Sequence, residues 1–228
     1  MADDWFRSPD WSREAQDDFE RRLLRARAYN QAQYLHIKGL ALEEAGHVKG
    51  ARELWLRVLG SSDELAGLQH SGALEHLGDS YSTEDPAVAQ HYYRRLLAEH
   101  PTLNGTTATQ HIKLAELLLD RGSANDLDEA AELLIRWTRE ADLPFPNAHF
   151  RWQLAAIRLA EATGDREAAQ EAARRALNLA ERGPVFPRHK TVGLVHTDAR
   201  TLRKLREPSR RVRRLVFMSH PASGRARL

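Results

Sequence analysis

The segment "LGDSYSTEDPAVAQHYYRRLLAEHP", residues 77–101, decides the fold. Apolar residues recur with helical spacing on both sides of a short polar turn, and Pro86 stands where the first turn of a helix tolerates proline. The small residues Gly78 and Ala89 stand one in each predicted helix, and the large Tyr93 follows one turn after Ala89. The segment therefore predicts two antiparallel helices that pack closely, and it contains no evident nucleophile, metal cluster or phosphate-binding loop.

The same helical spacing continues along most of the chain. Glycine and proline are sparse through the first 180 residues, and no segment before residue 183 alternates like a strand. The pattern predicts helices over residues 12–27, 30–45, 47–60, 63–82, 86–99, 105–121, 126–141, 147–163 and 166–182, with a last one over 198–206. Capping-box spacing at Ser61–Glu64 and Asp126–Glu129, and glycines at 46, 122 and 164, mark predicted helix ends. The predicted fold class is all-α.

A repeat underlies these helices. A small residue recurs early in every second helix, at separations of 38, 41 and 39 residues: Ala51, Ala89, Ala130 and Ala169. Four residues later stand Trp55, Tyr93, Leu134 and Ala173, and the first helices carry the small residues Gly39, Gly78 and Ala115. This pattern predicts helix pairs in which a small residue on one helix admits a large side chain from the other.

The chain resembles the tetratricopeptide repeat (TPR) family over about residues 30–182, in four units. The segment "LGDSY" at 77–81, with Ala89, Tyr93 and Pro101, carries the resemblance best. The units run to about 40 residues where the family has about 34, so another α-solenoid of longer repeat remains an alternative. The resemblance implies a right-handed array whose concave surface, lined by the first helix of each pair, holds a segment of a partner protein.

The predicted organisation has four parts. Residues 1–29 form an aromatic segment and a capping helix, and residues 30–182 form the repeat domain. Residues 183–207 hold an extended stretch, "TVGLV", and a capping helix, and residues 208–228 are a basic tail without helical pattern. The aromatic group Trp5, Phe6 and Trp11 is expected to cover the end of the array, since a terminal repeat has no neighbour. An exposed docking patch is the alternative for these three side chains.

Composition limits the classes of function. The chain has no cysteine, which excludes disulfides and thiolate chemistry, and no apolar run spans a bilayer. The N-terminus lacks the pattern of a secretory signal, so we expect a cytoplasmic protein without membrane contact. No H-E-x-x-H, phosphate-loop, dinucleotide or nucleophile-elbow motif is present. The sequence therefore predicts a non-enzyme with no cofactor and no metal, and a helical enzyme with an unrecognised site is the alternative.

The first helices supply the predicted partner-binding residues. These are the polar side chains expected on the concave face: Gln33, His36, Glu75, Asp79, Lys113, Glu116, Arg151 and Arg158. They predict a scaffold for a protein or peptide partner, and the acidic residues favour a partner with some positive charge.

An alternative function is indicated by the distribution of charge along the chain. The whole chain has a net charge of +2, yet residues 201–228 carry +8 and the first 200 carry −6. The tail could therefore contact nucleic acid or another polyanion. The oligomeric state is open.

Overall fold

The computed structural model describes residues 4–61, 67–140 and 144–207. In these residues the regular structure is entirely helical, and the predicted all-α class is confirmed. A short 3-10 helix (Trp5–Arg7) precedes ten α-helices, which are α1 (Arg13–Arg25), α2 (Ala28–Glu44), α3 (Val48–Leu59), α4 (Gly67–Tyr81), α5 (Pro86–Glu99), α6 (Gln110–Arg121), α7 (Ala124–Glu140), α8 (Pro146–Thr163), α9 (Arg166–Ala180) and α10 (Ala199–Arg206).

The chain divides into two compact units, residues 1–144 and 145–228. In the first unit, α2 packs on α3, α4 on α5 and α6 on α7, and these pairs contact one another through α3 with α4 and α5 with α6. In the second unit, α8 packs on α9, and α9 also contacts α10. Within each unit, helices that follow one another in the sequence are therefore neighbours in space.

Two helix pairs pack through the predicted combination of a small and a large residue. A Cβ atom on Gly78 would lie 2.5 Å from Cε1 of Tyr93, and one on Gly39 would collide with the indole of Trp55. Both large residues are buried, since Tyr93 is 2% exposed and Trp55 is 0% exposed. Glycine is required here because the aromatic ring occupies the space that any side chain would fill.

Most predicted helix ends agree with the structure. The backbone is left-handed at Gly46 (φ 84°), Gly122 (φ 68°) and Gly164 (φ 80°), which ends α2, α6 and α8 as predicted. The capping box of α7 lies three residues earlier than predicted. Ser123 N donates to Asp126 Oδ2 (3.3 Å) and Asp126 N donates to Ser123 Oγ (3.3 Å), so Asp126 closes the box rather than opening it. Glu64, from the other predicted box, lies outside the described residues.

The N-terminal aromatic segment packs on the first helices. Trp5 lies edge-on to Tyr34, and Phe6 stacks on Tyr34 with ring centroids 4.6 Å apart. Lys38 fixes the chain that follows, because its Nζ donates to Ser8 O (2.6 Å) and Asp10 O (2.9 Å). This ammonium group is buried beside two aromatic rings, and its burial lowers the pKa of Lys38.

The connection from α5 to α6 differs from the prediction. Residues 105–109 were expected to begin a helix, but α6 begins at Gln110 and residues 100–109 form a loop, called here the 100–109 loop. Left-handed backbone at Leu103, Gly105 and Ala108 prevents helix formation there. Ser71 Oγ donates to Asn104 O (2.5 Å), so the loop is held against α4.

The C-terminal part of the second unit is less regular than the helices before it. Residues 191–193 form turns, where the sequence "TVGLV" had predicted extended backbone. Val192 N donates to His189 O (3.0 Å), which closes one of these turns. Asp198 caps α10, since its carboxylate accepts from Thr201 N (2.6 Å). The predicted basic tail, residues 208–228, lies outside the described residues.

Candidate binding face on the first helices

An ion cluster joins α4 to α6 in the first compact unit. Lys113 Nζ on α6 lies 2.7 Å from Glu75 Oε1 and 2.7 Å from Asp79 Oδ2, both on α4. Asp79 also accepts a hydrogen bond from the Tyr93 hydroxyl (2.6 Å), which connects the cluster to the packing around Gly78. The structure therefore brings together three of the residues that the sequence predicted for the binding face.

The 100–109 loop completes the surroundings of Glu75. Thr107 N donates to Glu75 Oε2 (2.9 Å), and the Thr107 hydroxyl donates to Glu75 Oε1. The Glu75 residue is only 2% exposed, so its carboxylate is surrounded by donors from its own chain. Glu75 was predicted as a contact residue, but it positions Lys113 and the loop, because a buried and fully hydrogen-bonded carboxylate cannot reach a partner.

A group of rings lies beside this cluster, between α2, α3 and α4. His76 stacks on Trp55 with centroids 5.2 Å apart, and it lies 5.2 Å from the ring of His36. His36 Nδ1 donates to Gln69 Oε1 (2.6 Å), and His36 is buried, so this predicted contact residue also serves packing. Burial, together with the charge of His36, lowers the pKa of His76 to about 4, and burial lowers the pKa of His36.

Glu43 on α2 is the carboxylate at this face that lacks a donor. It is half-buried, and its side chain accepts no hydrogen bond within residues 4–61, 67–140 and 144–207. Burial raises the pKa of Glu43, and the charge of Asp79 raises it further, while Arg52 and Lys113 oppose that effect. A half-buried carboxylate beside another carboxylate favours an incoming cation.

The exposed part of this face runs along α2. Gln33 and Leu40 are exposed and stand seven residues apart, and Glu43 follows one turn after Leu40, so the three share one side of the helix. We call Gln33, Leu40, Glu43, Asp79 and Glu116 the first-helix face. Glu116, on α6, is half-buried and is three residues from Lys113.

The other two predicted residues lie elsewhere. Arg151 and Arg158 are half-buried on α8, in the second compact unit. They stand seven residues apart and so share one face of that helix. Glu43 and Leu40 were not among the binding residues that the sequence predicted. Glu43 follows Gln33 by ten residues and His36 by seven on α2, and this helical spacing could have found it. Its lack of a hydrogen-bond donor depends on the packing of α2 against α4, which the spacing does not show.

The side chains of this face are mostly acidic or polar. The acidic groups are held by hydrogen bonds from Lys113, Thr107 and Tyr93, or are half-buried as Glu43 is. Across the part of the chain that the structure describes, histidines and carboxylates form no group of three or more that could hold a metal ion. None of the described helices is long and apolar enough to cross a membrane.

In comparisons with family models, curated proteins and solved structures, none matches this chain.

Proposed function

We infer that this protein is a non-enzymatic interaction scaffold with TPR-like helix pairs. It binds a polypeptide segment on the first-helix face, and a basic side chain of that segment pairs with Glu43. The proposal rests on one observation above all, the half-buried Glu43 carboxylate without a donor from the described residues, next to Asp79. The packing of Gly39 on Trp55 and of Gly78 on Tyr93 supports the repeat assignment, since it occurs at matching positions of two helix pairs.

The charge of the first-helix face supports a basic partner. Glu43, Asp79 and Glu116 are acidic, and the nearby cations already have partners. The Lys113 ammonium group is held between Glu75 and Asp79, and Arg52 donates to Ser80 O and Glu84 Oε2. An arginine or lysine of the partner would supply the donor that Glu43 lacks and would reduce its repulsion with Asp79. Leu40, 36% exposed, offers an apolar contact one turn away.

A display experiment tests this proposal. Peptides that bind the wild-type protein would be selected from a random library. The dissociation constants of the enriched peptides would then be measured for the wild type, Leu40→Asp and Leu56→Asp. Leu56 is the matched control, because it is also an exposed leucine (46%) but belongs to α3, the second helix of the same pair. Circular dichroism and thermal melting would confirm that both variants fold.

The expected result is enrichment of peptides that contain arginine or lysine. Their affinity should fall about tenfold or more on Leu40→Asp and stay within about twofold on Leu56→Asp, since an interface depends on a few central side chains. The proposal fails if no peptide is enriched, if the enriched peptides lack basic residues, or if Leu56→Asp is the variant that loses binding.

A second candidate function, polyanion binding through the basic C-terminal region, is favoured by α10. Arg203, Lys204 and Arg206 on this helix are all exposed. If the region binds DNA or RNA, affinity should fall steeply as salt rises, and a chain that ends at residue 198 should lose it. Equal binding by the full and the shortened chain, or no binding at low salt, would exclude this function.

A further inference from the structure

A pocket of about 300 Å³ opens between α8 and α9 in the second compact unit. Two of its residues stand one turn apart near the start of α8, and the others follow helical spacing at the end of α9 and just beyond. Its lining consists of His149, Gln153, Arg175, Asn178, Leu179 and Arg182. The volume is at the small end of the range for ligand pockets, which suits a molecule of the size of an amino acid.

Gln153 is the buried polar group of this pocket. The residue is only 8% exposed, and its Oε1 atom is buried without a hydrogen-bond donor among the residues that the structure describes. Buried acceptors in folded proteins are nearly always satisfied, because an unsatisfied one costs folding free energy. Because Gln153 lines the pocket, a rotation about its side-chain bonds would bring this acceptor to a ligand N–H group, which would remove the cost.

The α9 side of the pocket is cationic. Arg182 lies just past the end of α9, where the helix dipole stabilises positive charge, and its guanidinium pairs with no acid in the described ranges. Arg175 is partly neutralised, since its Nε donates to Glu171 Oε1 (2.8 Å). Asn178 stands between the two arginines in sequence and can donate to the same anion.

These features point to one kind of ligand. The geometry points to a binding site for a small carboxylate with an N–H donor next to it, as in an N-acylated amino acid. The carboxylate pairs with Arg182 and Asn178, the N–H group donates to Gln153 Oε1, and the apolar part contacts Leu179. This site belongs to the second compact unit, whereas the first-helix face belongs to the first, and it does not rest on peptide binding at that face.

Two ligands that differ in one atom test the site on the full-length chain. N-acetylglycine has the N–H group beside the carboxylate, and acetoxyacetate has an ester oxygen in its place. Dissociation constants would be measured by NMR titration of the isotopically labelled protein. We expect N-acetylglycine to bind about tenfold more tightly than acetoxyacetate, because only N-acetylglycine satisfies the buried acceptor.

Three variants assign the contacts. Arg182→Gln should weaken both ligands about tenfold, because it removes the charged partner of the carboxylate. Gln153→Met should abolish the preference for N-acetylglycine. Arg174→Gln is the matched control and should change nothing, because Arg174 is an exposed arginine of α9 that pairs with Glu171 (2.6 Å) and does not line the pocket.

Several results would overturn the site. These are an absence of saturable binding by N-acetylglycine, equal affinity of the wild-type protein for both ligands, or equal losses in Arg174→Gln and Arg182→Gln. The comparison of the two ligands on the wild-type protein needs no variant, so it decides the question even if Gln153→Met fails to fold. None of these measurements involves the first-helix face, so this site and the proposed peptide binding fail independently.

Discussion

Gly78→Ala tests the packing that holds the second helix pair together. The new Cβ atom would lie 2.5, 2.7 and 2.9 Å from three ring atoms of Tyr93, so the ring must move. It cannot move without cost, because its hydroxyl donates to Asp79 Oδ1 (2.6 Å) and that carboxylate also pairs with Lys113 (2.7 Å). One added methyl group therefore perturbs both the core and the ion cluster.

The expected loss follows from three contributions. Overpacking costs about 1–3 kcal/mol, and loss of a hydrogen bond to a charged group costs about 1.5–3 kcal/mol. Alanine is favoured over glycine within a helix by about 1 kcal/mol. We therefore expect the free energy of unfolding to fall by about 3 kcal/mol, measured by urea denaturation.

A double-mutant cycle and a control glycine make this prediction specific. In the Tyr93→Ala background the added methyl group meets no ring, so Gly78→Ala should be neutral or stabilising by about 1 kcal/mol. Gly60→Ala should have little effect, since a Cβ there would meet its nearest atom at 3.5 Å. The reasoning is refuted if Gly78→Ala is as stable as the wild type, or if its cost persists when Tyr93 is absent.

Four further variants address charged and titratable groups. Lys38→Met should leave Ser8 O and Asp10 O without their donor, and it should lower the free energy of unfolding by about 1–3 kcal/mol. Protease cleavage before α1 should become faster, and an unchanged cleavage rate would contradict this prediction. The pKa of His76 is about 4 in the folded protein and 6.5 in the unfolded chain, so the free energy of unfolding should fall by up to about 3 kcal/mol as pH drops from 6.5 to 4. In urea titrations at several pH values, His76→Phe should lose that part of the pH dependence. Glu75→Lys should unfold the first compact unit, since it places a second cation against buried Lys113, whereas Glu116→Lys should remain folded. Circular dichroism checks both variants, and a folded Glu75→Lys protein would show that Glu75 does not organise the cluster.

Local sequence patterns were sufficient for the helices and for much of their packing. Trp55 and Tyr93 each stand four residues after a small residue, and that spacing alone aligned them with Gly39 and Gly78. The left-handed glycines at 46, 122 and 164 were equally predictable, because only glycine takes that conformation at no cost.

The candidate site was predictable only in part. The sequence placed Glu75, Asp79 and Lys113 on first helices, but it could not show that Glu75 is buried. That burial depends on Thr107, 32 residues away in a loop whose left-handed backbone includes residues other than glycine. Lys38 was missed for a similar reason, since its acceptors are backbone carbonyl groups about 30 residues away, which leave no mark on the sequence.

The binding role of Glu43 can be measured directly with one basic peptide from the display selection. Its dissociation constant would be determined from pH 4 to 8 on the wild-type protein, Glu43→Gln and Leu56→Asp. A bound cation favours the ionised form of Glu43, whose pKa is raised by burial and by Asp79 in the free protein. Wild-type affinity should therefore rise as pH increases through that pKa, and Glu43→Gln should bind about tenfold more weakly with a flatter pH profile. Equal affinities for the wild type and Glu43→Gln at every pH would contradict the pairing with Glu43, and loss of binding in Leu56→Asp would contradict binding on the first-helix face.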